Sequence, residues 1–157
     1  MLRQQPAGIL LSRQNLPVFD RSICASADGV DKGAYVLVAA PKKADVVLIA
    51  TGSEVSLAVK SAEVLNAQGI ATQVVSAPCL EWFNQENVSY RESVIPTSAL
   101  RVSIEAGIAQ GWREYVGDSG VIISLDHYGA SASASQLFTE FGFTVENVVS
   151  KVLAARK

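Results

Sequence analysis

The sequence predicts an α/β domain, a mixed and mostly parallel sheet flanked by helices. Three observations carry this expectation. Short apolar runs alternate with amphipathic stretches along the chain. Between Val46 and Ser76 an apolar run, an amphipathic stretch and a second run follow one another, which implies a right-handed parallel crossover. The 157 residues are 49% apolar and 18% charged, which suits one domain with a sizeable core and excludes a disordered chain.

Each element has its own signal. Gly8 to Leu11 is a short apolar run, read as a strand, that ends in the polar Ser12-Arg13-Gln14-Asn15 and is closed by Pro17. From Val18 to Lys32 no period is visible, and Asp20, Asp28, Gly29 and Asp31 mark turns, so a linker running over a surface is expected. Ala34 to Ala40 and Val46 to Ala50 read as strands, and the tight turn Pro41 to Asp45 predicts that they pair antiparallel. Thr51-Gly52-Ser53-Glu54 has the form of a capping box. Beyond it, Val55, Ala58, Val59, Ala62 and Leu65 form one helical stripe, and Gly69 is placed as the left-handed residue that ends it. Ala71 to Ser76 is the next strand. Asn84 is expected to cap a helix running through Val94, stopped by Pro96. Leu100 to Glu105 and Val121 to Leu125 read as strands, with a short helix at Gly111 to Val116 between them. Ser133 to Phe141 and Val145 to Arg156 are closing helices, the second capped by Thr144.

Charge and rare residues narrow the function. Lys plus Arg number 13 and Asp plus Glu 15, a net charge of −2, so no basic surface points to nucleic acid. His127, Cys24 and Cys79 are far apart and lack the spacing of a zinc site or a disulfide framework, which points to a reducing, cytoplasmic setting. No apolar run approaches the roughly 20 residues of a membrane span, and MLRQQPAG has no apolar core of a signal peptide.

Several clusters invite a chemical reading. Gly117-Asp118-Ser119-Gly120 is similar to a serine-protease nucleophile signature, but the needed His has no suitable place, and a polar turn entering a strand explains it better. Thr51-Gly52-Ser53 stands where a helix start can hold an anion, yet it lacks the glycines of a dinucleotide fingerprint and the Lys of a P-loop. Asp126-His127-Tyr128-Gly129 follows a strand end, where His127 is either an acid–base group or a packing residue. Trp82, Phe83 and Trp112 read as core or interface aromatics rather than a carbohydrate platform, and Cys24 and Cys79 as inert apolar residues. Arg13 follows a strand as a guanidinium fork suited to an oxyanion, with a surface salt bridge as the alternative.

Five stretches in order resemble transketolases. Gly8-Ile9-Leu10-Leu11-Ser12-Arg13-Gln14-Asn15-Leu16-Pro17 resembles the segment that closes the pyrimidine-binding domain of that family. Asp45 to Val55, Val74 to Cys79 with Trp82-Phe83, Glu105-Ala106-Gly107 with Gly111-Trp112, and Phe138 to Val149 are similar to its C-terminal domain. The resemblance implies a division into residues 1–17, the tail of the pyrimidine-binding domain, residues 18–33, a linker, and residues 34–157, the C-terminal domain. It implies transfer of a two-carbon ketol unit between sugar phosphates by a homodimer using thiamine diphosphate and a divalent metal, Mg or Ca. It places cofactor, metal and catalytic groups in the other domains, so no catalytic, cofactor-binding or metal-binding residue is expected in this chain. The chain alone is expected to be inactive, serving packing, dimer support and substrate contact. One position carries over: Arg13 matches the Arg that contacts the substrate phosphate. His127 matches none of the family's substrate histidines, and Ser133 stands where the family often has Pro. Two alternatives remain: a non-catalytic interaction or regulatory module, and a related thiamine-diphosphate enzyme such as a dehydrogenase β-subunit or deoxyxylulose-phosphate synthase.

Overall fold

A computed structural model of the chain describes residues 6 and 8–156. The outermost part of the N-terminal tail, residues 1–5 and 7, lies outside them. A five-stranded sheet forms the centre, built from β1 (Tyr35–Val38), β2 (Val46–Ala50), β3 (Thr72–Ser76), β4 (Leu100–Ile104) and β5 (Val121–Ile123). Six helices surround it: α1 (Glu54–Ala67), α2 (Leu80–Phe83), α3 (Val88–Val94), α4 (Trp112–Val116), α5 (Ala134–Glu140) and α6 (Val145–Ala155). The strand order is β1-β3-β2-β4-β5, with β1 antiparallel and every other pair parallel. The mixed, mostly parallel sheet expected from the alternating runs is therefore present.

The central strand explains why its sequence is apolar throughout. All five residues of β2 are fully buried. Val46, Leu48 and Ala50 face a core that contains Ala58, Ala62 and Leu65 of α1, Val148 and Val152 of α6, and Phe143. Val47 and Ile49 face the opposite core, with Phe83 of α2, Val94 of α3, and Trp112 and Val116 of α4. The pleat sends alternate side chains to opposite faces, so a strand covered on both sides has no polar position. Each fully buried Val, Leu or Ile contributes about 1.5–3 kcal/mol, which makes β2 the anchor of both layers.

Three expectations fail here, each for a physical reason. β1 and β2 do not pair; β1 pairs with β3 through Tyr35↔Ser76 and Val36↔Val75, and β3 lies between them. A short connection suggests a hairpin, but β2 instead takes parallel partners on both sides, β3 and β4, which bury it. Gly8 to Leu11 forms no strand: Ile9, Leu10 and Leu11 are 83%, 96% and 86% exposed, with no neighbouring strand to pair with. The helix expected from Asn84 to Val94 is two helices. Asn84 ends α2, and α3 is capped by Asn87, whose side chain accepts from the Tyr90 N–H at 2.9 Å. Two polar side chains of the same type, three positions apart, offered the same cap signal, and the one with extended backbone took it.

The capping-box reading also fails. Ser53 is the N-cap of α1 and makes no side-chain cap bond, while the turn is closed by the backbone, Glu54 N–H donating to Thr51 O at 3.1 Å. The hydroxyl of Thr51 is engaged elsewhere. Ser133 and Thr144 do cap α5 and α6, through Gln136 N–H and Asn147 N–H. Gly69 is left-handed with φ +80°.

The stretch expected as a linker has structure of its own. Ala27–Lys32 is a 3₁₀ helix, ended by Gly33 at φ +76°. Gly33 is buried: its carbonyl accepts from Cys79 N–H at 2.9 Å, and a Cβ there would fall on the Cys79 carbonyl and the Phe83 amide. Lys32 pairs with Glu86 at 3.1 Å and lies over the Tyr90 ring, and Tyr90 donates to the Ala34 carbonyl at 3.0 Å. Among the described residues no helix is long and apolar enough to cross a membrane.

Candidate functional site

Parallel strands place their C-terminal ends on one edge of the sheet. The chain leaves β2 toward β3 on one side while β4 lies on the other, so the crevice between the ends of β2 and β4 is the switch point where α/β folds bind ligands. Thr51 to Glu54 and Glu105 to Gly107 meet there. Thr51 Oγ1 donates to Glu105 Oε2 at 2.8 Å. Ser53 Oγ donates to Glu54 Oε1 at 3.1 Å, and the Ala106 backbone N–H on the other loop weakly favours the charged form of the Glu54 carboxyl. The Thr51–Glu105 bond thus ties one loop to the other.

Glu54 is the unusual group. It is 5% exposed. Burial pushes its carboxyl above the usual range, the hydrogen bonds from the backbone and Ser53 oppose this, and the Glu105 charge adds to the rise. A buried carboxylate between two loops is a cost that its donors offset only in part.

A cleft of about 540 Å³ opens beside this brace, lined by Thr51 and Glu105 together with Glu81, Asn84, Trp112 and Tyr115. Asn84 Nδ2 donates to the Tyr115 hydroxyl at 2.8 Å, and burial raises the Tyr115 phenol above its ordinary value. Trp112 stands edge-on to Tyr115 with centroids 5.9 Å apart. Three carboxylates, Glu81, Glu105 and Glu114, line this cleft.

Arg13 is exposed and lines a second cavity of about 570 Å³. Gln14, Ser53, Glu54, Ala106 and Phe138 share that cavity, so the N-terminal segment lies against the same strand ends, with Glu54 beneath it.

The other candidates do not join this group. His127 is exposed, its Nδ1 lies 2.8 Å from the Tyr128 carbonyl, and its ring stands edge-on to Phe141 at 4.9 Å. Gly117 to Gly120 is a turn, closed by Gly120 N–H donating to Gly117 O at 3.2 Å. Phe83 and Trp112 are buried in the core and Trp82 is half-buried. Cys24 is buried and Cys79 half-buried, neither in a disulfide. Sequence reasoning did not single out Glu105 or Tyr115 as site residues. The signals for Glu105 were its place at the end of an apolar strand and in the Glu105-Ala106-Gly107 stretch that resembles the family.

Comparison with known proteins agrees with this fold. Residues 33–144 match the model of the transketolase-like TK C-terminal domain. The transketolase of Halalkalibacterium halodurans is 44% identical over 153 residues, covering 97% of this chain and 23% of that protein. The transketolase of Mycobacterium tuberculosis strain H37Rv is 48% identical over 151 residues, covering 92% of this chain and 21% of its own length. Among solved structures, a transketolase from Pichia stipitis in complex with sedoheptulose-7-phosphate superimposes with a TM-score of 0.81 at 37% identity, over 91% of this chain and 20% of that one. The chain spans about a fifth of the length of the relatives it matches. A split-gene transketolase described as an inactive β4 tetramer shares the fold at 22% identity, with a TM-score of 0.63. The chain belongs to the transketolase family, in which it corresponds to the C-terminal domain.

Proposed function

We propose that this chain is the C-terminal portion of a cytoplasmic, thiamine-diphosphate-dependent transketolase that moves a two-carbon ketol unit between sugar phosphates. The observation that carries the reading is the extent of the match: 97% of this chain aligns with 23% of a transketolase at 44% identity. The chain's own roles in this reading are packing on the pyrimidine-binding domain, support of the homodimer, and contact with the substrate phosphate through Arg13. Exposed Ile9, Leu10 and Leu11 support the first role, because adjacent exposed apolar side chains mark a surface that packs on a partner. The Arg13 role is supported by an exposed guanidinium at a cavity beside the strand ends, and by the sugar phosphate held by the Pichia stipitis relative.

Thiamine diphosphate and its metal do not suit the residues present. Among the described residues no group of three or more His, Cys, Asp or Glu side chains is arranged to hold a metal ion. The carboxylates of Glu81, Glu105 and Glu114 along the switch-point cleft would repel a diphosphate. Cofactor, metal and proton transfer are accordingly assigned to the upstream domains, and the isolated chain to an inactive state.

The test is a chimera in which this chain replaces the matching segment of the Halalkalibacterium halodurans enzyme. Ketol transfer by the chimera is expected. Arg13→Ala in it raises KM for phosphorylated acceptors about 10- to 100-fold, the loss of a charge-assisted hydrogen bond, and leaves unphosphorylated ones nearly unchanged. A folded but inactive chimera overturns the family function, and equal KM changes remove the phosphate role. Micromolar binding of thiamine diphosphate and magnesium by the isolated chain, read by calorimetry, would overturn the assignment of the cofactor to the upstream domains.

A further inference from the structure

We propose that the switch-point cleft between α2 and α4 binds a small organic cation, an ammonium or guanidinium group carried beside a neutral carbonyl or hydroxyl oxygen. The cleft, of about 540 Å³, has the size of a small-molecule site and lies at the C-terminal ends of parallel strands.

Its charge has one sign. Glu81 of α2, Glu105 at the end of β4 and Glu114 of α4 line it, and no Lys or Arg does. Among the described residues none of the three carboxylates is in a salt bridge, the only one being Lys32 to Glu86. Thr51 engages Glu105 through Oε2. The walls also meet closely. Asn84, directly after α2, donates to the Tyr115 hydroxyl of α4 at 2.8 Å. Burial is the main reason that the Tyr115 phenol is raised, and the Glu114 and Glu81 charges add to it. Carboxylates from both helices therefore act on one hydroxyl, within reach of one small ligand.

A second observation is independent of the acidic groups. Trp112 is only 5% exposed and lines the cleft. Among the described residues its indole N–H has no protein acceptor, yet the atom is not sealed from water, as Arg91 Nε is. The N–H thus opens onto the cleft and calls for an oxygen from a ligand. That oxygen is neutral, because three carboxylates disfavour a second anion there. A cationic group for the carboxylates and an oxygen for the indole together define the ligand.

The experiment follows the Trp112 indole Nε1–H resonance by NMR in the 157-residue chain. Trp82, which does not line the cleft, is the internal control. Argininamide and ethanolamine are titrated separately against sodium chloride of matched ionic strength. A saturable Trp112 shift with a dissociation constant of roughly millimolar or tighter is expected in at least one arm. The tighter arm tells guanidinium from ammonium. By calorimetry, Glu81→Gln with Glu114→Gln, both at exposed positions, weakens binding at least about threefold. Glu140→Gln, on α5 outside the cleft, leaves it unchanged. Trp112→Phe, which keeps a ring and removes the N–H, weakens it about three- to tenfold. No saturable shift in either arm, the same shift with sodium chloride, or equal binding by the wild type and the double glutamine variant overturns the site.

Discussion

The brace across the switch point makes a quantitative prediction. Thr51 Oγ1 and Glu105 Oε2 lie 2.8 Å apart at a partly buried position, 54 residues apart in the chain. A hydrogen bond to a charged acceptor contributes about 1.5–3 kcal/mol. Glu105 is only half-buried, so water replaces part of that when the hydroxyl is removed, and about 1–2 kcal/mol is expected for the pair. A double-mutant cycle isolates the term: Thr51→Val, which keeps the shape and removes the donor, Glu105→Ala, and the two together. Stability is read from urea denaturation, with thermal melts as a check. For a chain of this size a coupling of about 1.5 kcal/mol corresponds to roughly 3–6 °C. The double variant should therefore lose less than the sum of the singles by about 1–2 kcal/mol. Additivity within about 0.5 kcal/mol would refute the reasoning and leave the 2.8 Å contact as mere proximity.

Three further outcomes follow from other parts of the fold. Gly33→Ala should destabilise by about 2–5 kcal/mol, adding overpacking to a left-handed backbone, whereas Gly69→Ala, with similar φ but nothing near its Cβ, should cost only about 1–2 kcal/mol; equal urea midpoints for the two would remove the steric argument. Burial holds the Glu54 carboxyl above its usual range, so its favourable contribution is present below the ordinary value of 4.5 and is lost as pH rises through the raised value. Glu54→Gln should therefore become the more stable protein relative to wild type as pH climbs from about 4 to about 8, measured by urea midpoints at each pH, and parallel profiles would contradict this. Ser103 is fully buried with a hydroxyl that has no partner, so Ser103→Ala should hold or raise stability by up to about 1–3 kcal/mol; a clear loss in a thermal melt would mean that the hydroxyl is satisfied.

Local signals and long-range ones fared differently. The stripe on α1 was visible because Ala58, Ala62 and Leu65 sit on one face of one helix, and all three are almost completely buried there. The caps at Ser133 and Thr144 were visible because donor and acceptor lie three residues apart. Thr51 offered the same local pattern and behaved otherwise, since folding brought Glu105 within reach of its hydroxyl. That competitor lies one strand and many residues away, and no window along the chain contains it.

By itself, the sequence determined which stretches bury and which turn. The apolar β2, the amphipathic α1 and the glycine after it already imply a layered α/β domain with a parallel crossover, because periodicity and backbone preference are properties of neighbours in the chain. Only the tertiary structure decided strand order, and with it the pairing of β1 with β3 rather than β2. The same holds for the switch point, where two carboxylates from loops half a hundred residues apart share one crevice. Strand pairing and site assembly depend on which faces must be covered at once, a requirement of the whole packed sheet rather than of any one segment.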